Sequence, residues 1–252
     1  MKTLFQSCLL LLAVSSLSAQ EVSESEIIDR ARATIGSDAA LDGLVTLQLM
    51  GSLEPVDSEM PPATLLIVAR KPCSQRMEIK VDDIVETTLL HGDKGCIIRS
   101  NLNAEASQMR DLIGPELKRV TYSTRQLFNF YRPDFKNGEK VSLQGIESHR
   151  GQRCYKLLYE YPDGLSTLRY FSIVDDTLVS TITENGVESL GVGSQTIDGI
   201  RFPERIEYYE GERKLHTIVV REVKVNQPLA SGIFDIPGRG AARGPEAAQG
   251  AE

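Results

Sequence analysis

The chain carries 28 Lys and Arg against 35 Asp and Glu over 252 residues, a formal net charge of −7. No cluster of basic residues stands out, which excludes nucleic acid as a partner, because a phosphate backbone is bound by grouped Lys and Arg. The length suits one sizeable domain or two small ones, large enough to bury a real core.

Lys2 precedes a short apolar run, Leu9 to Val14, which ends in the small residues Ser15, Ser16, Ser18 and Ala19. This is the pattern of a cleaved secretory signal peptide over 1–19. The run is too short for a bilayer, which takes ~20 apolar residues, and no later stretch approaches that length, so a chain that does not span the membrane is expected. Glu21, Ser23 and Glu24 follow the run at once and disfavour a signal anchor. Cys8 is rejected as a lipidation site because the apolar run follows it rather than preceding it. Three further cysteines remain, Cys73, Cys96 and Cys154, and an oxidising compartment allows two to pair. Cys73 with Cys96 is the expected disulfide, both lying at ends of predicted strands, although sequence alone does not fix the connectivity. No metal or other cofactor is expected: no two cysteines have C-x-x-C spacing, and His91, His149 and His216 are isolated.

Ser23 to Ile35 reads as an amphipathic helix. Ser23 caps it with Glu26 three residues on; Ile27, Ile28, Ala31 and Ile35 form one stripe, and Gly36 stops it. From Leu44 the period changes to two. Strands are predicted at Leu44–Ser52, Thr64–Arg70, Gln75–Val81, Ile84–His91 and Gly95–Arg99, separated by turn residues such as Asp82-Asp83 and Gly92-Asp93-Lys94. A helical interlude follows, with Asn103 capping Ala104–Ile113, a break at Gly114-Pro115, and Thr124 capping Arg125–Tyr131. Leu127, Phe128, Phe130 and Tyr131 make the second of these helices apolar, either as ordinary core or as a lid over the sheet. A second run of strands is predicted at Val141–His149, Gln152–Tyr161, Ser166–Ser172, Leu178–Glu184, Glu188–Ile197, Ile200–Tyr209 and Lys214–Val225. About a dozen strands in one meander are too many for a flat sheet. The expected fold is therefore mainly β (α+β), a strongly curved antiparallel sheet forming a half-open β-barrel, with the N-terminal helix and the helical insertion packed on its concave side. The domain is expected over 20–237. The tail, 238–252, has no apolar residue larger than alanine except Pro245 and is expected to be disordered.

Catalytic motifs are absent. There is no G-x-S-x-G, no H-E-x-x-H and no phosphate-binding Gly-rich loop, and Glu147-Ser148-His149 lies on a strand whose adjacent side chains point to opposite faces. What remains is the concave side of the sheet. Met77, Ile79 and Leu89 in the first meander, with Tyr155, Leu157, Tyr159 and Phe171 in the second, are the expected apolar lining, suited to an acyl chain or, alternatively, to plain core.

Several local patterns resemble the LolA-like family of periplasmic lipoprotein carriers. They are Ala33-x-x-Gly36 followed by Ala40-Leu41, Arg70-Lys71-Pro72 ahead of Arg76-x-Glu78, and Gly145-x-Glu147-x-x-x-Gly151 with Cys154-Tyr155-Lys156-Leu157. The end matches best, at Asp198-Gly199-Ile200-Arg201-Phe202-Pro203-x-Arg205-Ile206, Val223-x-Val225-Asn226 and Phe234-Asp235-Ile236-Pro237. The chain departs from many relatives in having no Trp and in placing Cys96 where they carry one. The resemblance implies a periplasmic, non-catalytic carrier whose partner is a lipid, a lipoprotein acyl chain or another apolar ligand; a monomer is favoured, but the sequence does not fix the oligomeric state. The alternative is an envelope sensor or scaffold that binds a protein through the outer surface of the same fold.

Overall fold

The computed structural model describes residues 22–56, 59–162 and 164–238. The expected signal peptide at 1–19 and the tail beyond Gly238 lie outside the described residues. The first helix, α1 (Glu24–Ile35), starts where Ser23 Oγ accepts the Glu26 N–H at 3.3 Å, and it buries Ile27, Ile28 and Ala31. A short helix that the sequence reading lacked, α2 (Asp38–Asp42), follows with Ser37 as its cap.

The strands of the first meander are β1 (Thr46–Pro55), β2 (Ala63–Arg70), β3 (Ser74–Val81), β4 (Ile84–His91), β5 (Lys94–Asn101) and β6 (Ala106–Asp111). This last strand corrects the helix expected at 104–113. Asn101 Oδ1 accepts the N–H groups of Asn103 and Ala104 at 3.0 and 3.1 Å, so the asparagine-rich stretch closes a turn rather than capping a helix. The one helix of this region is α3 (Gly114–Asn129), with Pro115 in its first turn, where a missing N–H leaves no bond unmade. Gly114-Pro115 is thus a helix start, not a break. Thr124 sits in mid-helix, its hydroxyl donating to the Val120 carbonyl at 2.8 Å.

A single 3-10 turn, Phe135–Asn137, leads into β7 (Lys140–His149), β8 (Gln152–Glu160), β9 (Ser166–Ser172), β10 (Leu178–Thr183), β11 (Val187–Val192), β12 (Gln195–Ile197), β13 (Ile200–Phe202), β14 (Arg205–Glu210) and β15 (Arg213–Val225). Two long predicted strands are thereby split, at Gly193-Ser194 and at Pro203-Glu204, and the pieces β12 and β13 form their own hairpin. All other strands join one antiparallel sheet in the order β6-β5-β4-β3-β2-β1-β15-β14-β11-β10-β9-β8-β7. The two meanders meet where β1 pairs with β15, and a bulge there sets Gly51 against Val220. A Cβ on Gly51 would lie 2.0 Å from the Val219 carbonyl oxygen, so no side chain fits at this crossing. Asn226, just past β15, secures the junction: its Oδ1 accepts the Val45 N–H at 2.7 Å and its Nδ2 donates to the Gly43 carbonyl at 3.0 Å.

The sheet is open, with β6 and β7 as its edges, and it is strongly curved. Thr124 of α3 lies 3.2 Å from Gln75 of β3, while Gln126, two residues on, hydrogen-bonds Arg169 of β9. Those strands stand seven places apart in the sheet, which at ~4.8 Å per strand is about 34 Å if flat. One helical turn bridges both only if the sheet wraps around it. Two cores line the inner face. In one, α1 places Ile27, Ile28 and Ala31 against Leu157, Tyr159, Tyr161 and Phe171; in the other, Leu41, Leu44 and Phe128 meet Leu47, Ala69, Ile200, Phe202, Val220, Val223 and Val225. Each fully buried large side chain contributes roughly 1.5–3 kcal/mol.

The expected Cys73–Cys96 disulfide is not formed; Cys73, Cys96 and Cys154 are free and buried. Cys73 precedes β3 and Cys96 lies on β5, with β4 between them, so at ~4.8 Å per strand they stand beyond the ~7 Å Cα separation a disulfide spans. Burial pushes all three thiols up, which keeps them protonated and unreactive.

Candidate functional site

Along β11 the inward-facing positions are Val187, Ser189 and Gly191, paired with Tyr208 and Ile206 of β14 and, through Ser189, with Thr181 of β10. Small residues at these positions leave the inner wall uncovered between the helices. A cavity of about 560 Å³ opens between this wall and the face of α3 that carries Val120, Tyr122 and Gln126. Arg119 Nε donates to Glu184 Oε1 at 2.9 Å, tying α3 to the β10–β11 turn at its mouth. A second cavity of about 450 Å³ continues along the wall towards Ile35 at the end of α1, lined by Tyr131, Gly191, Phe202 and Ile206. Ser189 lines both. A polar annex of about 200 Å³ adjoins the first cavity at Tyr122 and Leu165 and is lined by Lys118, Arg125, Asn137, Glu139 and Tyr161.

The partition between cavity and annex is a hydrogen-bonded network. Gln126 receives a bond from Arg169 at its carbonyl and donates to the Tyr122 hydroxyl, with the Tyr161 hydroxyl at 3.4 Å; Tyr161 in turn reaches Thr167 at 3.0 Å. Arg169 is 3 % exposed and stacks its guanidinium over the Tyr159 ring at 4.0 Å. Burial pushes the Glu139 carboxyl up, partly countered by the Asp134 N–H that it accepts at 2.8 Å. Burial likewise raises Tyr131 to about 12, so this phenol stays neutral. Phe130 and Tyr131 both have positive φ, 44° and 71°, a region that bulky residues rarely enter. Arg32 holds the preceding helix end in place by donating to the Asn129 and Phe130 carbonyls at 2.9 and 3.1 Å.

The residues expected to line a pocket are placed otherwise. Tyr155, Leu157, Tyr159 and Phe171 do face inward, but α1 fills the space over them and they are core. Met77 and Ile79 face inward and line none of the cavities described above. Leu89 is on the opposite face: it pairs with Arg76 and Cys96, whereas Met77 pairs with Thr88. Of the expected lid, Phe128 is core with Leu127 and Phe130 packed against it, and Tyr131 lines the second cavity. Thr181, Ser189 and Tyr208 were missed because attention to large apolar residues finds filled space. The usable signal was the reverse, small residues at alternate positions of a strand, as in Ser189-Leu190-Gly191.

One Ser, His and Glu do come together. His149 Nε2 lies 2.8 Å from Ser180 Oγ and 2.7 Å from Glu188 Oε1, stacked on Tyr170. Both partners address the same ring nitrogen, whereas a nucleophile–base relay uses two. Ser180 is fully buried, and the cluster lies on the outer face, opposite the cavities. It is structural: burial pushes the Glu188 carboxyl up, but hydrogen bonds from Arg150, Ser180 and His149 outweigh this and hold it below the usual range. Among the described residues no group of three His, Cys, Asp or Glu is arranged for a metal, and no helix is long and apolar enough to cross a membrane.

An open 13-stranded antiparallel sheet wrapped around helices, with cavities on its inner wall, is a half-open β-barrel. No family model and no curated protein matches the chain. Among solved structures it is similar to a DUF1329 family protein from Desulfovibrio piger, with a TM-score of 0.56 and 12% identity over 84% of this chain and 96% of that one. A LolA superfamily protein from Nitrosomonas europaea superposes with a TM-score of 0.55 at 14% identity, covering 83% of this chain and 96% of the other. A putative outer membrane lipoprotein-sorting protein domain from Vibrio parahaemolyticus does so at 0.51 and 9% identity, covering 82% and 94%. At such identities the likeness establishes the fold.

Proposed function

We propose that this protein is a non-catalytic, periplasmic carrier or binding protein for a lipid, a lipoprotein acyl chain or another apolar ligand, held in the two cavities that meet at Ser189. The carrying observation is the uncovered inner wall: a cavity of about 560 Å³, within the ~300–1,000 Å³ typical of small-molecule sites, continues into another along one stripe of small residues. Release of water from such a wall and from an acyl chain supplies affinity without a precise polar constellation. The LolA-like fold and a neighbour described as a lipoprotein-sorting domain support the same reading.

Native mass spectrometry of gently purified protein, with displacement of the neutral fluorophore N-phenyl-1-naphthylamine by acyl compounds, tests it. Bound lipid mass and displacement are expected; a bare polypeptide mass together with no fluorophore binding overturns the proposal. Ser189→Phe places a ring where both cavities meet and is expected to weaken binding at least about tenfold, a loss of ~1.4 kcal/mol, while melting as wild type does. The alternative, an envelope sensor docking a protein, has one observation in its favour. An outer groove of about 590 Å³ runs over Met50, Leu66 and Val85, bordered by Glu78, Lys80, Arg221 and Glu222. If Ser189→Phe leaves ligand binding intact while Leu66→Arg abolishes partner capture, that reading replaces the first.

A further inference from the structure

Several hydroxyls on the wall of the first cavity are already committed. Ser123 donates to the Val120 carbonyl and Thr183 to the Val187 carbonyl, each at 3.0 Å, while Thr167 bonds Tyr161 and Tyr122 receives Gln126. Thr181, Ser189 and Tyr208 differ. They line the cavity together, and among the described residues their hydroxyls make no hydrogen bond; none is a sealed, unsatisfied group either, so all three oxygens stay accessible on that wall. The register sets them in one row, Ser189 of β11 facing Tyr208 of β14 on one side and Thr181 of β10 on the other, which makes the three side chains direct neighbours. Burial pushes the Tyr208 phenol up, so it stays protonated and able to donate. The row is closed at both ends: His216 stacks on Tyr208 at 4.5 Å, and Arg169, facing Thr181 from β9, is engaged by Gln126 and the Tyr159 ring. Charge is nearly absent from this cavity, since the charged side chains of its lining, Arg119 and Glu184, are bonded to each other at the mouth. Hydrocarbon laid over the row strips water from three hydroxyls and returns nothing, a cost that an acceptor in the ligand removes. A carboxylate laid there meets donors but no counter-charge, and an unpaired buried charge costs more.

We infer that the ligand carries an uncharged acceptor of the ester class between two apolar arms, its carbonyl held by the hydroxyls of Tyr208, Ser189 and Thr181. This rests on the reading of the cavities as a ligand site. Position within the site separates an ester from a terminal head group: Ser189 stands where the first cavity meets the second, so a carbonyl there leaves room for hydrocarbon both towards α3 and towards Ile35. A fatty acid or alcohol has its polar group at one end and fills one side of the row alone.

Competition against N-phenyl-1-naphthylamine tests the inference with three probes of equal carbon number: octyl octanoate, dioctyl ether, which lacks only the carbonyl, and hexadecanoate. The ester is expected to bind about tenfold tighter than the ether, the effect of one hydrogen bond, and tighter than the carboxylate. In Thr181→Val/Tyr208→Phe, which keeps the shape of the wall, the ester-to-ether ratio is expected to fall towards one while the ether still binds. Ser189→Ala is expected to lower the same ratio and decides the matter if the double variant fails to fold. Equal affinity for ester and ether in the wild type overturns the inference while leaving the carrier reading standing, and tighter binding of hexadecanoate overturns the uncharged class. A ratio unchanged in the variants overturns the assignment of the carbonyl to this row. Failure of every probe to bind removes the carrier reading and this inference with it.

Discussion

Arg32 ties the three helices together from a position that the sequence presents as solvated helix face. Its side chain is 2 % exposed, donates to Asp38 at 2.9 Å and Asp42 at 3.2 Å, and supplies the last carbonyls of α3 with donors. Those carbonyls belong to the four that every helix end leaves without intrahelical partners. Arg32→Met keeps most of the apolar stem but strands the Phe130 carbonyl, leaves Asn129 with the Arg132 N–H alone and breaks the pairs to Asp38 and Asp42, so a loss of about 3 kcal/mol is expected in urea unfolding. His216 offers a pH-dependent counterpart. Its ring stacks on Tyr208 at 4.5 Å, and burial pushes its pKa below the ordinary value. The folded state therefore resists a proton that the unfolded chain takes up near pH 6.5, and stability falls as the pH drops below that value. Thermal melts between pH 7.5 and 5 are expected to show the decline in the wild type and a shallower one in His216→Phe.

At the scale of elements, the crossing of β1 and β15 is the least forgiving point of the sheet. Gly51→Ala forces a methyl onto the Val219 carbonyl and is expected to cost more than about 2 kcal/mol. Gly191→Ala, whose added Cβ meets only Pro203 Cβ at 3.5 Å, is expected to be nearly neutral; equal melting temperatures for the two variants refute the account. The strands were legible because alternation and turn chemistry agreed: Asp82-Asp83, Asn185-Gly186 and Asp198-Gly199 each stand between paired strands. The stretch 104–113 was not, since β6 is short and neither face of it is buried, so its mostly polar residues carry little hydrophobic alternation, and Asn103 imitates a cap. Nor was the length of α3, because Gly-Pro reads as punctuation at either end of a helix. The cavities were illegible for a different reason. Alternation tells which residues share a face, but whether a helix covers them depends on where α1 and α3 lie, and that is tertiary information.

For the molecule as a whole, the open edges matter as much as the interior. The β7 edge is protected: Glu24 Oε1 accepts the Leu143 N–H at 3.0 Å, and that backbone bond holds its carboxyl below the usual range. A bulge at Gly145 twists the strand beyond it. Glu24→Ala frees that N–H, and concentration-dependent association in sedimentation velocity is the expected result at neutral pH.

The sheet is zipped by its first and last long strands, Leu47 facing Val225 across nearly the whole chain. Contacts so distant in sequence form late and slowly. Until the final hairpin has been synthesised, each meander is half a sheet without its neighbour, and the nascent polypeptide has no finished barrel to lock. The chain completes its sheet only after its last long strand has arrived.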